Sequence, residues 1–125
     1  MMYSAIFVGG ACGSLLRELM TPLLSLPGPF TTTLPINLLA CFLLGWLGSA
    51  RHRLHAHLMH LGAVGFCGGL STFSSFVADA ALLAGGDGVG IAGLAVTIEI
   101  VAGLAAAASG LALGRMLHGR PVTSP

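Results

Sequence analysis

Four long apolar stretches make up most of this chain, near Met2–Leu24, Thr32–Ala50, Leu58–Ala84 and Val89–Leu117. The hydrocarbon core of a bilayer is roughly 30 Å thick and takes about 20 helical residues to cross. Each stretch is continuously apolar and lacks the alternation of a half-buried strand, so helices are expected rather than a barrel. The charged residues inside them are Arg17, Glu18, Asp79, Glu99 and Arg115, the last close enough to an end to snorkel. With 7% of residues charged and 55% apolar, a soluble domain of this size would have more apolar surface than it could bury. The expected fold is an all-α membrane protein, a single four-helix transmembrane domain over residues 1–125.

Short connections join the stretches: Ser25–Phe30 with two prolines and a glycine, Arg51–His57, and Gly85–Gly88. Pro35 falls in the first turn or so of the second helix, where its missing N–H costs least. Four spans put both ends of the chain on one side, together with Arg51, Arg53, Arg115 and Arg120, while the opposite loops carry only Asp87. The positive-inside rule therefore places both ends in the cytoplasm, in a multi-pass protein of the cell inner or plasma membrane. The first stretch lacks a basic leader and is interrupted by Arg17–Glu18, so it does not read as a cleavable signal. No basic face for nucleic acid is present. Cys12, Cys41 and Cys67 read as small buried apolar residues. His52, His55, His57 and His60 read as a solvated, headgroup-facing segment, since no tight ligand spacing recurs with a carboxylate.

Small residues recur four apart, at Gly9 and Gly13, Gly65 and Gly69, and Ala106, Gly110 and Gly114, a spacing that lets helix backbones approach closely in lipid. The segment Gly65–Phe76, GFCGGLSTFSSF, carries the most chemistry. Its Gly68–Gly69 pair lies within a long apolar span and favours a break, and unwound backbone at that depth is tolerated only where it is buried or lines a cavity. Free carbonyls there suit a hard cation such as Na⁺. Ser71, Thr72, Ser74 and Ser75 add hydroxyls, and Phe73 and Phe76 share a helix face. Gly-rich packing with ordinary core phenylalanines is the alternative. Asn37 either bonds a neighbouring helix or offers its NH₂ to an anion. Arg17 marks a vestibule or snorkels, and Arg17 and Glu18, adjacent and so about 100° apart, are not expected to pair well. Glu99 is protonated, paired with an arginine or water-facing, and Asp79 suits a structural pairing or a proton relay. No nucleophile triad, phosphate loop or dinucleotide pattern is present, so no enzyme is expected.

Three segments together resemble the CrcB/Fluc fluoride channel family. GGACGSLLRE (Gly9–Glu18) is similar to its helix-one signature, TLPINLLACFLLG (Thr33–Gly45) to its helix-two signature, and GFCGGLSTFSSF to its highly specific GxCGGhTTFSTF. The resemblance covers nearly the whole chain. It implies a fluoride-selective channel for passive efflux and protection from fluoride toxicity, formed as an antiparallel, dual-topology dimer. Helix three would be broken near Gly68–Thr72, and carbonyls of Gly68 and Ser71 would hold a structural Na⁺ on the two-fold axis. Phe73, Phe76, Asn37, Ser74 and Ser75 would line the fluoride path, with Arg17 at the vestibule. Asp79 stands where the family usually has Glu.

The chain departs from the family pattern at Thr32 and Ala40, which replace Gly, and along the apolar Ala102–Ala108 stretch of helix four, where the family often has polar residues. The resemblance allows the chain itself as the antiparallel partner, whereas the arginine bias implies a fixed orientation and points to an oppositely oriented paralogue. Two other functions stay open. A proton-coupled small multidrug exporter would use Glu18 or Glu99, but one Trp and one Tyr are few for a cation-binding cage. A non-conducting partner subunit would account for the apolar face of helix four.

Overall fold

The computed structural model describes residues 1–24 and 33–119. The connection Ser25–Phe30, Thr32 and the tail with Arg120 lie outside the described residues. Six α-helices follow in order: α1 (Met2–Met20), α2 (Thr33–Ser49), α3 (Ala56–Met59), α4 (Cys67–Leu70), α5 (Phe73–Gly86) and α6 (Val89–His118), with a π-helical stretch, His60–Phe66, joining α3 to α4. No strand occurs among the described residues. Two segments, Ala56–Gly86 and Val89–Leu117, are long and apolar enough to cross a membrane, with mean hydropathy of 1.4 and 2.1, and α2 is a shorter apolar helix.

The first helix stops at Met20, four residues short of the expected Leu24. Pro22 is the physical reason. It has no N–H to return to the Glu18 carbonyl, and Thr21 turns its hydroxyl back onto the Arg17 carbonyl at 2.7 Å.

Packing rests on backbone-to-backbone approach at glycine. On α1, Gly9 sits against the Leu61 carbonyl and the Phe66 amide, and Gly13 against the Phe66 carbonyl and the Leu70 amide. From the other side, Gly65 meets Ile6 and Gly69 meets the Gly10 carbonyl. Leu61 and Phe66 are five residues apart, the spacing of a π turn, so α1 crosses its neighbour over that turn. The α2–α6 pair is built the same way. Gly45 meets Ala107, Gly110 meets the Phe42 carbonyl, and Gly114 meets Ser49 and Trp46. Gly103 lies over Cys41. The α6 contacts toward α2 thus include Gly103, Ala107, Gly110 and Gly114, of which Gly110 and Gly114 belong to the expected small-residue spacing.

A small core joins the two pairs: Ile36 and Ala40 of α2 with Leu70 of α4, surrounded by Leu16, Leu39, Leu43 and Phe66. Leu70 is fully buried, so the last residue before the chain leaves helical geometry is also the most firmly packed. Most other large apolar side chains, among them Phe7, Leu15, Leu82 and Leu104, face outward, as suits a surface solvated by lipid or covered by other chains.

Because an added Cβ at Gly110 would overlap backbone, Gly110→Ala should lower stability by about 1–3 kcal/mol, the range for overpacking. Gly93→Ala, on the same helix but with open space before it, should be neutral or stabilising by up to about 1 kcal/mol. Thermal melts of the two purified variants in one detergent check this, and equal melting would refute the close-contact seam.

Candidate functional site

The third span leaves helical geometry for two residues. Ser71 (φ −72°, ψ 152°) and Thr72 (φ −140°, ψ 105°) are extended between α4 and α5. Gly68 and Gly69, expected to begin the break, remain in α4. Gly69 packs against α1, where its Cβ position is filled by Gly10 and only glycine fits. Gly68 instead faces open space, with nothing within 4 Å of where a Cβ would stand.

Thr72 holds the break together. Its backbone N–H donates to Asn37 Oδ1 of α2 at 3.1 Å. Its side-chain Oγ1 caps α5 by accepting from the Ser75 N–H at 3.2 Å. The same hydroxyl donates its proton to Ser75 Oγ at 2.9 Å. In an uninterrupted helix the N–H groups of Thr72 and Ser75 would bond the carbonyls of Gly68 and Ser71. Side chains take both donors instead, which releases those two carbonyls. They are the two oxygens that the family resemblance assigns to a Na⁺. Uncharged carbonyl oxygens freed at membrane depth are the right donor type for such a hard cation.

These bonds also fix which way the donors point. A backbone N–H can only donate, so the Asn37 atom it meets is the oxygen, and the NH₂ is the end left over. Ser75 Oγ accepts from Thr72, so its own proton takes no part in that bond and remains to give. Ser74 lies beside them, its Oγ 3.4 Å from Thr72 Oγ1, and both serines are exposed. Ser14 of α1 donates to the Gly69 carbonyl at 3.3 Å.

Phe73 and Phe76 form a tilted pair with ring centroids 6.1 Å apart. Phe76 is half-buried, while Phe73 is 79% exposed on the outer face of this single chain. On the other side of the break, a cleft of about 320 Å³ opens between α1, α2 and α5. Arg17, Glu18, Thr33, Thr72, Ser75 and Asp79 line it. The structure therefore gathers Arg17 and Ser75 at one cleft and ties Asn37 to it through Thr72, whereas Phe73, Phe76 and Ser74 lie outside that cleft.

Several charged residues take partners that the sequence left open. Arg17 Nη2 does reach Glu18 Oε1, contrary to expectation, but at 3.5 Å and on an exposed surface, where such a contact contributes little. Asp79 accepts from the buried Thr33 hydroxyl at 3.0 Å, a structural pairing that fastens α5 to the start of α2. Glu99, half-buried on α6, lies near enough to Asp79 for their charges to interact. Hydroxyls on α6 turn inward to their own helix, Thr97 to the Gly93 carbonyl and Ser109 to the Ala105 carbonyl, both at 2.8 Å. The three cysteines are free, Cys67 buried and Cys41 half-buried, but Cys12 is exposed rather than buried as expected. Thr33 and the bonding role of Thr72 escaped the sequence reading. The available signal for Thr72 was a threonine three residues ahead of a serine, directly after a Gly-Gly break, which is an N-cap pattern.

A family model described as CrcB-like protein, Camphor Resistance (CrcB), matches residues 4–111. A protein of Ruegeria pomeroyi named Fluoride-specific ion channel FluC is 62% identical over 115 residues, covering 90% of each chain. One of the same name from Stutzerimonas stutzeri is 36% identical over 121 residues, covering 92% of this chain and 98% of its own. A third, Fluoride-specific ion channel FluC 1 of Brucella abortus, is 35% identical over 129 residues, covering 93% of this chain and 47% of its own. With the match spanning α1 to α6 and taking in the break, Asn37 and Arg17, the chain belongs to the CrcB-like family.

Proposed function

We propose that this chain is a fluoride-selective ion channel subunit that lets fluoride leave the cell down its gradient. Relatives sharing nearly its full length carry that name. The observation that carries the reading is the polarity of the Thr72 network. Thr72 engages the oxygens of Asn37 and Ser75, which turns the Asn37 NH₂ away from it and leaves the Ser75 hydroxyl proton out of that bond, so both residues keep a donor to offer. A small anion entering lipid depth must exchange its hydration for such donors, because the cost of stripping it bare is prohibitive. Ring edges of Phe73 and Phe76 carry partial positive charge and hold an anion while rejecting bulk water. Arg17 raises the positive potential at the cleft mouth.

A single chain supplies only part of this path. Phe73 and Ser74 are exposed outside the cleft, and Gly68 has open space before it. Both features support an antiparallel dimer whose two chains enclose the path between them. Gly68 and Ser71 carbonyls would hold a Na⁺ at the two-fold axis, where the ion would contribute fixed positive charge between the subunits. The arginine bias favours one orientation for this chain, and the numbered name of the Brucella abortus relative is in keeping with an oppositely oriented paralogue as partner. The location that follows is the inner membrane.

Purified protein in liposomes, followed with a fluoride electrode, tests the reading. Asn37→Asp keeps an acceptor for the Thr72 N–H but puts a carboxylate where the NH₂ was. It should cut fluoride efflux by at least about two orders of magnitude through charge repulsion, without preventing assembly. Efflux at the wild-type rate would sink the assignment. Phe76→Ile should likewise abolish flux in a protein that still assembles, as read by size-exclusion elution.

Ser75→Ala should slow efflux roughly tenfold, the value of one well-placed hydrogen bond. Thr72→Val should instead lower stability by about 1 kcal/mol through loss of the α5 cap. A Thr72→Val melt indistinguishable from wild type would show that the cap is not needed.

A further inference from the structure

Away from the break, at the far end of the molecule, a second and larger cleft of about 1180 Å³ runs along the outside of the α2–α6 seam. Its floor is made of small and apolar residues, including Gly48, Ala108 and Leu111, and its rim carries Arg51, His52 and Arg115. The trough exists because the seam is built from small residues, and Gly48 has nothing within 4 Å of its Cβ position. None of these residues takes part in the Thr72 network.

The rim is cationic, and among the described residues its arginines make no ion pair. Arg51 Nε donates to His52 Nε2 at 3.1 Å, which holds the guanidinium in place while leaving its two terminal nitrogens to bind elsewhere. Arg115 makes no hydrogen bond or ion pair among the described residues. The chain's acidic residues are Glu18, Asp79, Asp87 and Glu99. Glu99, on the same helix as Arg115, is sixteen residues away, about 24 Å at 1.5 Å per residue. Two guanidinium groups at the ends of adjacent apolar helices therefore line one trough, and among the described residues no side-chain carboxylate pairs with either.

An occupant must supply negative charge at the rim and apolar surface along the floor. Met116, 81% exposed, lines the cleft beside Leu111 and Ala108, so the apolar lining reaches the outer surface of the helix pair and is open to acyl chains as well as to water. We propose that this cleft binds an anionic phospholipid of the leaflet in which Arg51 and Arg115 lie, its phosphate gripped by the two guanidinium forks and one acyl chain laid along the α2–α6 floor. Arginine matches phosphate bidentately, and basic pockets between transmembrane helices are suited to such headgroups.

The test is native mass spectrometry of the detergent-solubilised full chain, incubated with phosphatidylglycerol or with phosphatidylcholine of the same acyl chains. Phosphatidylglycerol should be retained roughly 10- to 30-fold better, as expected for two arginines near the headgroup. The double variant R51Q/R115Q should lose that preference, while R53Q, which removes a charge from the same end but outside the cleft, should keep it. The wild-type comparison needs no variant to fold. Equal retention of the two lipids by the wild type would overturn the proposal, as would an undiminished preference in R51Q/R115Q. Displacement of the lipid by inorganic phosphate alone would reassign the rim to a free anion. A change in oligomeric state in R51Q/R115Q, with no lipid retained by the wild type, would reassign the trough to a second copy of the chain.

Discussion

A helix interrupted at membrane depth exposes amide and carbonyl groups that hydrocarbon cannot satisfy, and each one left bare costs several kcal/mol. In this chain that demand falls on Thr72. Its N–H goes to Asn37, its hydroxyl oxygen receives the Ser75 N–H, and its hydroxyl proton goes to Ser75 Oγ. With those three bonds in place, α4 can end, α5 can begin, and the Gly68 and Ser71 carbonyls are free of helical partners. The donors left over on Asn37 and Ser75 are a by-product of the same satisfaction. Local structural necessity and anion chemistry are therefore served by one residue.

The break can be held so closely only because the surrounding helices touch at the backbone. Glycines on α1 and on the π-helical stretch bring two main chains into contact, and glycines and alanine on α6 do the same against α2. Dispersion contacts between close-approaching backbones take over where lipid removes most of the hydrophobic driving force between helices. Leu70, fully buried against Ile36 and Ala40, connects the two seams directly beside the break. Asn37 follows Ile36 in sequence, so the packing that seats Ile36 also sets the height at which the amide meets Thr72.

Much of this was legible in the residues themselves. Long apolar runs with charges at their ends give helices, and glycines four apart give close crossings, because both follow from short-range rules of period and size. The segment Gly65–Phe76 announced a break, but composition could not say which of its residues would unwind. Gly69 stayed helical and serves packing instead, since Gly10, 59 positions earlier in the chain, fills its Cβ site. The π turn and the pairing of Thr33 with Asp79 were likewise hidden, since each depends on contacts between distant segments. The early end of α1 was available in Pro22 and was overlooked under the stronger apolar signal around it.

Asn37 is oriented by a main-chain N–H, and Ser75 by a side-chain hydroxyl. These two supports have different tolerances to sequence change. Every amino acid but proline brings an N–H to position 72, so the amide keeps its direction through almost any substitution there. The serine depends on a hydroxyl and loses its bond with most replacements. Drift at position 72 would therefore degrade the path one donor at a time, leaving a chain that still turns an amide toward an anion after the hydroxyl support has gone.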